Sequence, residues 1–185
     1  MVLSTRKPIL ARCPRIWTVI PGFLVSGLLL CPEPALSIDE RQLSFYHTHT
    51  AERLDVVYAR GGQYIDSALD EIEDFLSDFR TGDRQTIDPD LLDLIYDVRV
   101  SLGSDGTFEV ISAYRSPKTN EMLRSRTSGV AENSQHTAGK AIDVRLRGVK
   151  LERFRDAAIE LQRGGVGYYA ESNFVHLDTG RVRRW

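Results

Sequence analysis

Two hydrophobic rhythms alternate along the chain from residue 43 onward. Leu43–Thr50 and Arg53–Tyr58 read as short strands joined by a turn. Ile65, Leu69, Ile72, Leu76 and Phe79 then recur at spacings of three and four. That spacing predicts a helix from about Tyr64 to Arg80, closed by Thr81-Gly82. Asp88 followed by Pro89 predicts the cap and first turn of a second helix, with Leu92, Ile95, Val98 and Leu102 on its buried face.

From Thr107 the pattern changes. Phe108–Tyr114 reads as a strand, and Ser116-Pro117 opens a short helix to about Arg126. A polar loop spans Thr127–Thr137, followed by a strand over Lys140–Leu146. A helix over Leu151–Gln162 is stopped by Gly164-Gly165, and Val166–Ala170 and Phe174–Asp178 form a last pair of strands. The expected fold is α+β: a small, largely antiparallel sheet with helices packed on one side.

Residues 1–37 follow another logic. Arg6, Lys7, Arg12 and Arg15 precede an apolar run from Ile16 to Cys31, and Ala35-Leu36-Ser37 supplies small residues for a cut after Ser37. This order reads as a secretory signal or, if retained, a membrane anchor. It leaves one domain over residues 38–185, exported to the periplasm or cell envelope, with membrane contact only through an uncut leader. The leader carries four basic residues and one acidic residue, so the domain keeps 20 basic against 25 acidic ones. That balance gives no electrostatic case for nucleic acid. Both cysteines, Cys13 and Cys31, also fall in the leader. The domain therefore has no disulfide, no thiol nucleophile and no thiolate ligand, and any metal must be held by nitrogen and oxygen. A monomer is expected.

The candidate chemistry sits on the strands near the end. Side chains alternate along a strand, so Ile142, Val144 and Leu146 suit the core while Ala141, Asp143 and Arg145 face away. By the same alternation Phe174, His176 and Asp178 share a face. If the two strands are neighbours, Asp143 and His176 meet on the open side of the sheet. His136 arrives from the loop seven residues before Asp143, and Gly139 frees that loop to turn tightly into the strand. Two imidazoles and a carboxylate are a common ligand set for one catalytic Zn2+, with the fourth position left to water. His47-x-His49 has no carboxylate beside it and reads as a solvated edge. No phosphate-binding loop, dinucleotide fingerprint or nucleophile elbow is present.

Three ordered motifs carry a resemblance. Ser134-Gln-His136-Thr-Ala-Gly139-Lys-Ala-Ile-Asp143 resembles the S-x-H-x-x-G-x-A-x-D signature of the zinc D-Ala-D-Ala peptidases, which share a metal core with VanX-type dipeptidases and hedgehog domains. Ile111-Ser-Ala-Tyr-Arg115-Ser116 is similar to their S-x-Y-R-S strand end. Gly164-Gly-Val-Gly-Tyr-Tyr169 and Asn173-Phe-Val-His176-Leu-Asp178-Thr-Gly180 look closest to the MepK (YcbK-like) murein endopeptidases. The resemblance implies zinc ligation by His136, Asp143 and His176, with Arg115 facing the carbonyl oxygen as it gains charge. It implies hydrolysis of peptidoglycan stem peptides or crosslinks, including those between two diaminopimelate residues. A D,D-carboxypeptidase or dipeptidase, another metal-dependent amide hydrolase and a non-catalytic wall-binding module are the alternatives.

The sequence departs from this wider group at the general base. VanX-type enzymes carry Glu where this chain has Asn173, and other relatives carry His where it has Phe174. Asp178 is the nearest carboxylate, either as the base or as an acceptor that orients a ligand histidine. Ser134 and Tyr114 are further candidates for substrate or supporting contacts.

Overall fold

The computed structural model describes residues 39–126 and 130–185. The expected signal or anchor over 1–37 lies outside the described residues, as do residues 127–129 of the polar loop. The fold is α+β, with one eight-stranded, mostly antiparallel sheet. Its strands are β1 (Glu40–His47), β2 (Arg53–Arg60), β3 (Gln63–Tyr64), β4 (Phe108–Ser112), β5 (Ala141–Leu146), β6 (Gly165–Tyr169), β7 (Phe174–Asp178) and β8 (Arg183–Arg184). They run in the order β3-β2-β1-β4-β5-β7-β6-β8. The β1–β4 and β6–β8 pairs are parallel. Two of these strands, β3 and β8, are only two residues long, too short for the alternation in the sequence to reveal.

Among the described residues four helices accompany the sheet: α1 (Asp66–Phe75), α2 (Pro89–Ser101), α3 (Pro117–Arg126) and α4 (Leu151–Leu161). One core joins Ile72 of α1, Leu91, Leu92, Ile95 and Val98 of α2 and Phe154 of α4 to the inward positions of the sheet. Ile142, Val144, Val175 and Leu177 are fully buried there. Each such burial contributes about 1.5–3 kcal/mol. A one-residue slip of β5 against β7 would turn Ile142 and Val144 outward, so the core fixes the register. That register pairs Asp143 with His176. No helix among the described residues is long and apolar enough to cross a membrane.

One helix end, and the stop signal of another, differ from expectation. Helix α1 stops at Phe75, well before Thr81-Gly82. The cause is Asp78, which is fully buried and binds the backbone N–H and hydroxyl of Ser116 at 2.9 and 2.7 Å. Its backbone carbonyl meanwhile accepts from Thr81 and Gly82, closing a turn in place of more helix. Helix α4 ends on Gln162 in the left-handed conformation (φ 52°), two residues before the glycine pair. Gly164 and Gly165 serve a different purpose: a β-carbon at Gly164 would lie 1.8 Å from the Asp178 carbonyl oxygen.

His47 is also unlike its expectation. It is buried, not solvated, and its ring packs edge-on against Phe75 and Phe79. Its Nδ1 accepts the backbone N–H groups of His49 and Thr50, while His49 stacks on Phe79 in the turn. The pair shapes a turn.

Candidate metal centre

On the face of β5 and β7 turned away from the core, three side chains converge. Asp143 and His176 face each other across the strand pair, with His176 Nδ1 2.8 Å from Asp143 Oδ1. His136 enters from a 3₁₀ turn (Gln135–Ala138) whose N-cap, Ser134, accepts the His136 N–H. The turn ends at Gly139 in the left-handed conformation (φ 68°), where a β-carbon would lie 2.1 Å from the Thr86 carbonyl oxygen. His136 Nε2 lies 3.1 Å from His176 Nδ1 and 3.3 Å from Asp143 Oδ1. All three side chains are buried.

The far side of each imidazole fixes which nitrogen carries hydrogen. His136 Nδ1 is 2.6 Å from the Ala113 carbonyl oxygen, which can only accept, so Nδ1 donates and Nε2 turns a lone pair inward. His176 Nε2 donates in the same way to Asp178 at 2.9 Å. Lone pairs of His136 Nε2, His176 Nδ1 and Asp143 Oδ1 thus point at one another, an arrangement that only a cation or a proton at their centre relieves. Metal-binding histidines characteristically donate their other N–H to a carbonyl or carboxylate, as both do here. Ligands bonded at 2.0–2.1 Å in a tetrahedron stand about 3.3 Å apart, close to the spacings observed. The residues therefore fit a divalent ion, and the triad forms a group that could hold one.

Electrostatics agree. Burial pushes the His136 pKa down, against the pull of Asp143. Burial also disfavours the Asp143 anion, but the charge and hydrogen bonds of His136 and His176 outweigh it and hold the carboxyl well below its usual range. For His176 burial opposes the charged form, yet the hydrogen bonds of Asp143 and Asp178 raise its pKa overall.

Asp178 is fully buried. Besides His176, it accepts from Arg183 through both oxygens, at 2.6 and 3.0 Å, and from the N–H groups of Gly165 and Gly180. Burial notwithstanding, these bonds hold its pKa well below normal. With its lone pairs engaged and no exposure, this carboxylate has the geometry of an acceptor that orients His176. That weighs against the base alternative.

The triad opens onto a cleft of about 670 Å³ lined by Arg115, Ser134, Tyr169, Phe174, Arg183 and Trp185 among others. Arg115 is largely buried, with one terminal nitrogen 3.4 Å from Asp143 Oδ2 and a buried Nε that has no protein partner. Burial lowers its pKa, although Asp143 opposes this. Ser134 lines the cleft, but Tyr114 does not: it joins the core. The chain contributes the neighbouring Ala113 carbonyl to His136 instead.

Sequence reasoning missed Ala113, Arg183 and the Tyr169–Trp185 pair. A backbone carbonyl leaves no trace in residue identity. Arg183, five residues after Asp178, and the alternating Gly165 and Gly167, opposite Asp178 and His176, were the available signals.

Outside the site, Asp88 holds the ligand segments together. It caps α2 through Asp90 N–H, its own N–H donates to the Gly139 carbonyl, and its Oδ2 accepts the Thr179 hydroxyl at 2.8 Å.

Comparison with known proteins places the chain in a family. The family model described as peptidoglycan L,D-endopeptidase MepK matches residues 35–185. The peptidoglycan L,D-endopeptidase MepK of Escherichia coli (strain K12) is 39% identical over 168 residues, covering 89% of this chain and 92% of that protein. The protein of the same name from Shigella flexneri gives the same figures. A Haemophilus influenzae relative named "Probable peptidoglycan L,D-endopeptidase MepK" is 38% identical over 176 residues, covering 92% and 94%. No solved structure gives a significant match. A family match over four-fifths of the length, with the three buried ligand candidates inside it, shows that this chain belongs to the family of the peptidoglycan L,D-endopeptidase MepK.

Proposed function

We propose that this protein is an exported zinc peptidase that hydrolyses peptide bonds in peptidoglycan crosslinks, including those between two diaminopimelate residues. In this reading residues 1–37 are a signal or anchor, residues 38–185 form the peptidase, and it works as a monomer in the periplasm or cell envelope. The observation that carries the proposal is the convergence of three acceptor atoms, His136 Nε2, His176 Nδ1 and Asp143 Oδ1, with each histidine's other nitrogen already committed. The family membership and the names of the relatives supply the substrate class.

His136, Asp143 and His176 would hold a zinc ion, which would supply a Lewis acid for the scissile carbonyl and a water whose pKa falls to about 7. The remaining work belongs to the chain. Ala113 and Asp178 hold the two imidazoles in register, so little reorganisation is needed. Arg115 turns a poorly satisfied guanidinium into the cleft, where it stabilises the oxygen that gains charge as the carbonyl becomes tetrahedral. Ser134 holds the His136 turn and borders the bound peptide.

One observation favours a second reading, a wall-binding module without turnover: the only carboxylate lining the cleft among the described residues is Asp143. Incubating zinc-loaded protein with crosslinked muropeptides separates the two. New stem-peptide fragments by mass spectrometry, absent with His136→Ala, are expected. Intact muropeptides with retained binding to sacculi would replace the peptidase by the module.

A further inference from the structure

The supporting hydrogen bonds of the triad do not account for Trp185. Its indole lies beside His176, with ring centres 5.3 Å apart, yet 51% of the residue is exposed and it lines the cleft. Three separate constraints hold it. Its backbone is bonded to Val166 and Tyr168 of β6. Its Nε1–H donates to the Tyr169 hydroxyl at 2.9 Å. Its ring sits over Gly167, where a β-carbon would come within 2.6 Å of Cε2. Tyr169 in turn stacks on Phe174 at 4.7 Å, so three aromatic rings line the cleft next to the candidate ion site. The Arg183 guanidinium also lies over the ring, its Cζ 5.0 Å from the ring centre, and the part of the indole left exposed has a fixed orientation, so it loses little conformational freedom when something lies on it.

We propose that Trp185 is the specificity wall of this cleft, receiving the aliphatic stem of the diamino acid beside the scissile bond. The structure places a flat ring beside the candidate ion site, and the substrate class in the reading above offers a side chain of unbranched methylenes to lie on it. Gly167 is the enabling residue, since any side chain there would displace the ring. The inference rests on the proposed peptidase function, and the experiment separates the two.

Steady-state kinetics on a purified crosslinked muropeptide dimer are measured for the full-length zinc-loaded protein, Trp185→Ala and Trp185→Phe, each with its zinc content. Cleavage by the wild type tests the reading; the variants test the wall. Trp185→Ala should raise KM about tenfold. Its kcat should stay within about threefold of wild type with full zinc content, and Trp185→Phe should recover most of the loss. A wild-type KM in Trp185→Ala, or a loss confined to kcat or zinc content, would overturn the wall and leave the peptidase standing. An inert wild type would remove both. If Trp185→Ala does not fold, Tyr169→Phe removes the hydroxyl that pins the indole and should raise KM about threefold; an unchanged KM there overturns the proposal equally.

Discussion

Asp178 stands two residues beyond His176 on the same face of β7 and accepts its Nε2–H at 2.9 Å, so one strand carries both a ligand candidate and the carboxylate that aims it. Asp178→Asn exchanges an acceptor with five donors around it for an amide whose N–H groups oppose Arg183, Gly165 or Gly180. Zinc affinity, measured by chelator competition, should fall about 10–100-fold. At saturating zinc, kcat should fall by less. Tight zinc binding combined with lost turnover would return Asp178 to the role of base.

In the proposed peptidase Arg115 would contribute charge where the carbonyl oxygen develops it. Arg115→Ala should lower kcat about 100–1,000-fold while zinc remains bound. Arg115→Lys should restore only part, because an ammonium lacks the planar fork. Turnover and zinc content measured on the same sample check this, and wild-type turnover in Arg115→Ala would exclude the role.

Gly139 is held at φ 68° with the Thr86 carbonyl oxygen where a β-carbon would go. Gly139→Ala should destabilise the domain by about 2–4 kcal/mol, combining backbone strain with a steric clash. Urea denaturation measures it directly. A loss under about 0.5 kcal/mol, the usual scatter of neutral substitutions, would mean that the loop relaxes freely.

The buried Asp78 carboxylate links the turn after α1 to the start of α3. Burial alone would raise its pKa, but hydrogen bonds from Thr119, Ser116 and Arg80 together lower it below the ordinary 3.8. A carboxyl depressed on folding stabilises the native state above its unfolded pKa and loses that contribution as pH falls through the folded value. Between its ordinary pKa and lower pH, the wild type should therefore lose stability more steeply than Asp78→Asn. The variant itself should be about 1–3 kcal/mol less stable at neutral pH. Denaturation curves at pH 6 and pH 3 compare the slopes, and parallel slopes would remove Asp78 from the acid response.

How much of this was legible in the sequence depended on how local each feature is. Period-two alternation over residues 141–146 and 174–178 placed Asp143 and His176 on one face, and the buried faces of those strands then fixed their pairing. The cap at Asp88-Pro89 was equally local and stands as expected. What escaped depends on distant partners. Helix α1 looked longer because its apolar spacing continues to Phe79, whereas Asp78 is captured by Ser116, 38 residues away. Tyr114 shares a motif with Arg115 but packs into the core. His47 looked like an edge residue until Phe75 and Phe79 closed over it.

Asp88 fastens three parts of the molecule at once: the first turn of α2, the chain leaving His136 and the chain leaving His176. Heating should therefore produce no separate early transition in which the cleft falls apart around an intact scaffold. The core helix and both histidine-bearing segments share one knot, so catalytic competence and the native fold should disappear in the same melting event.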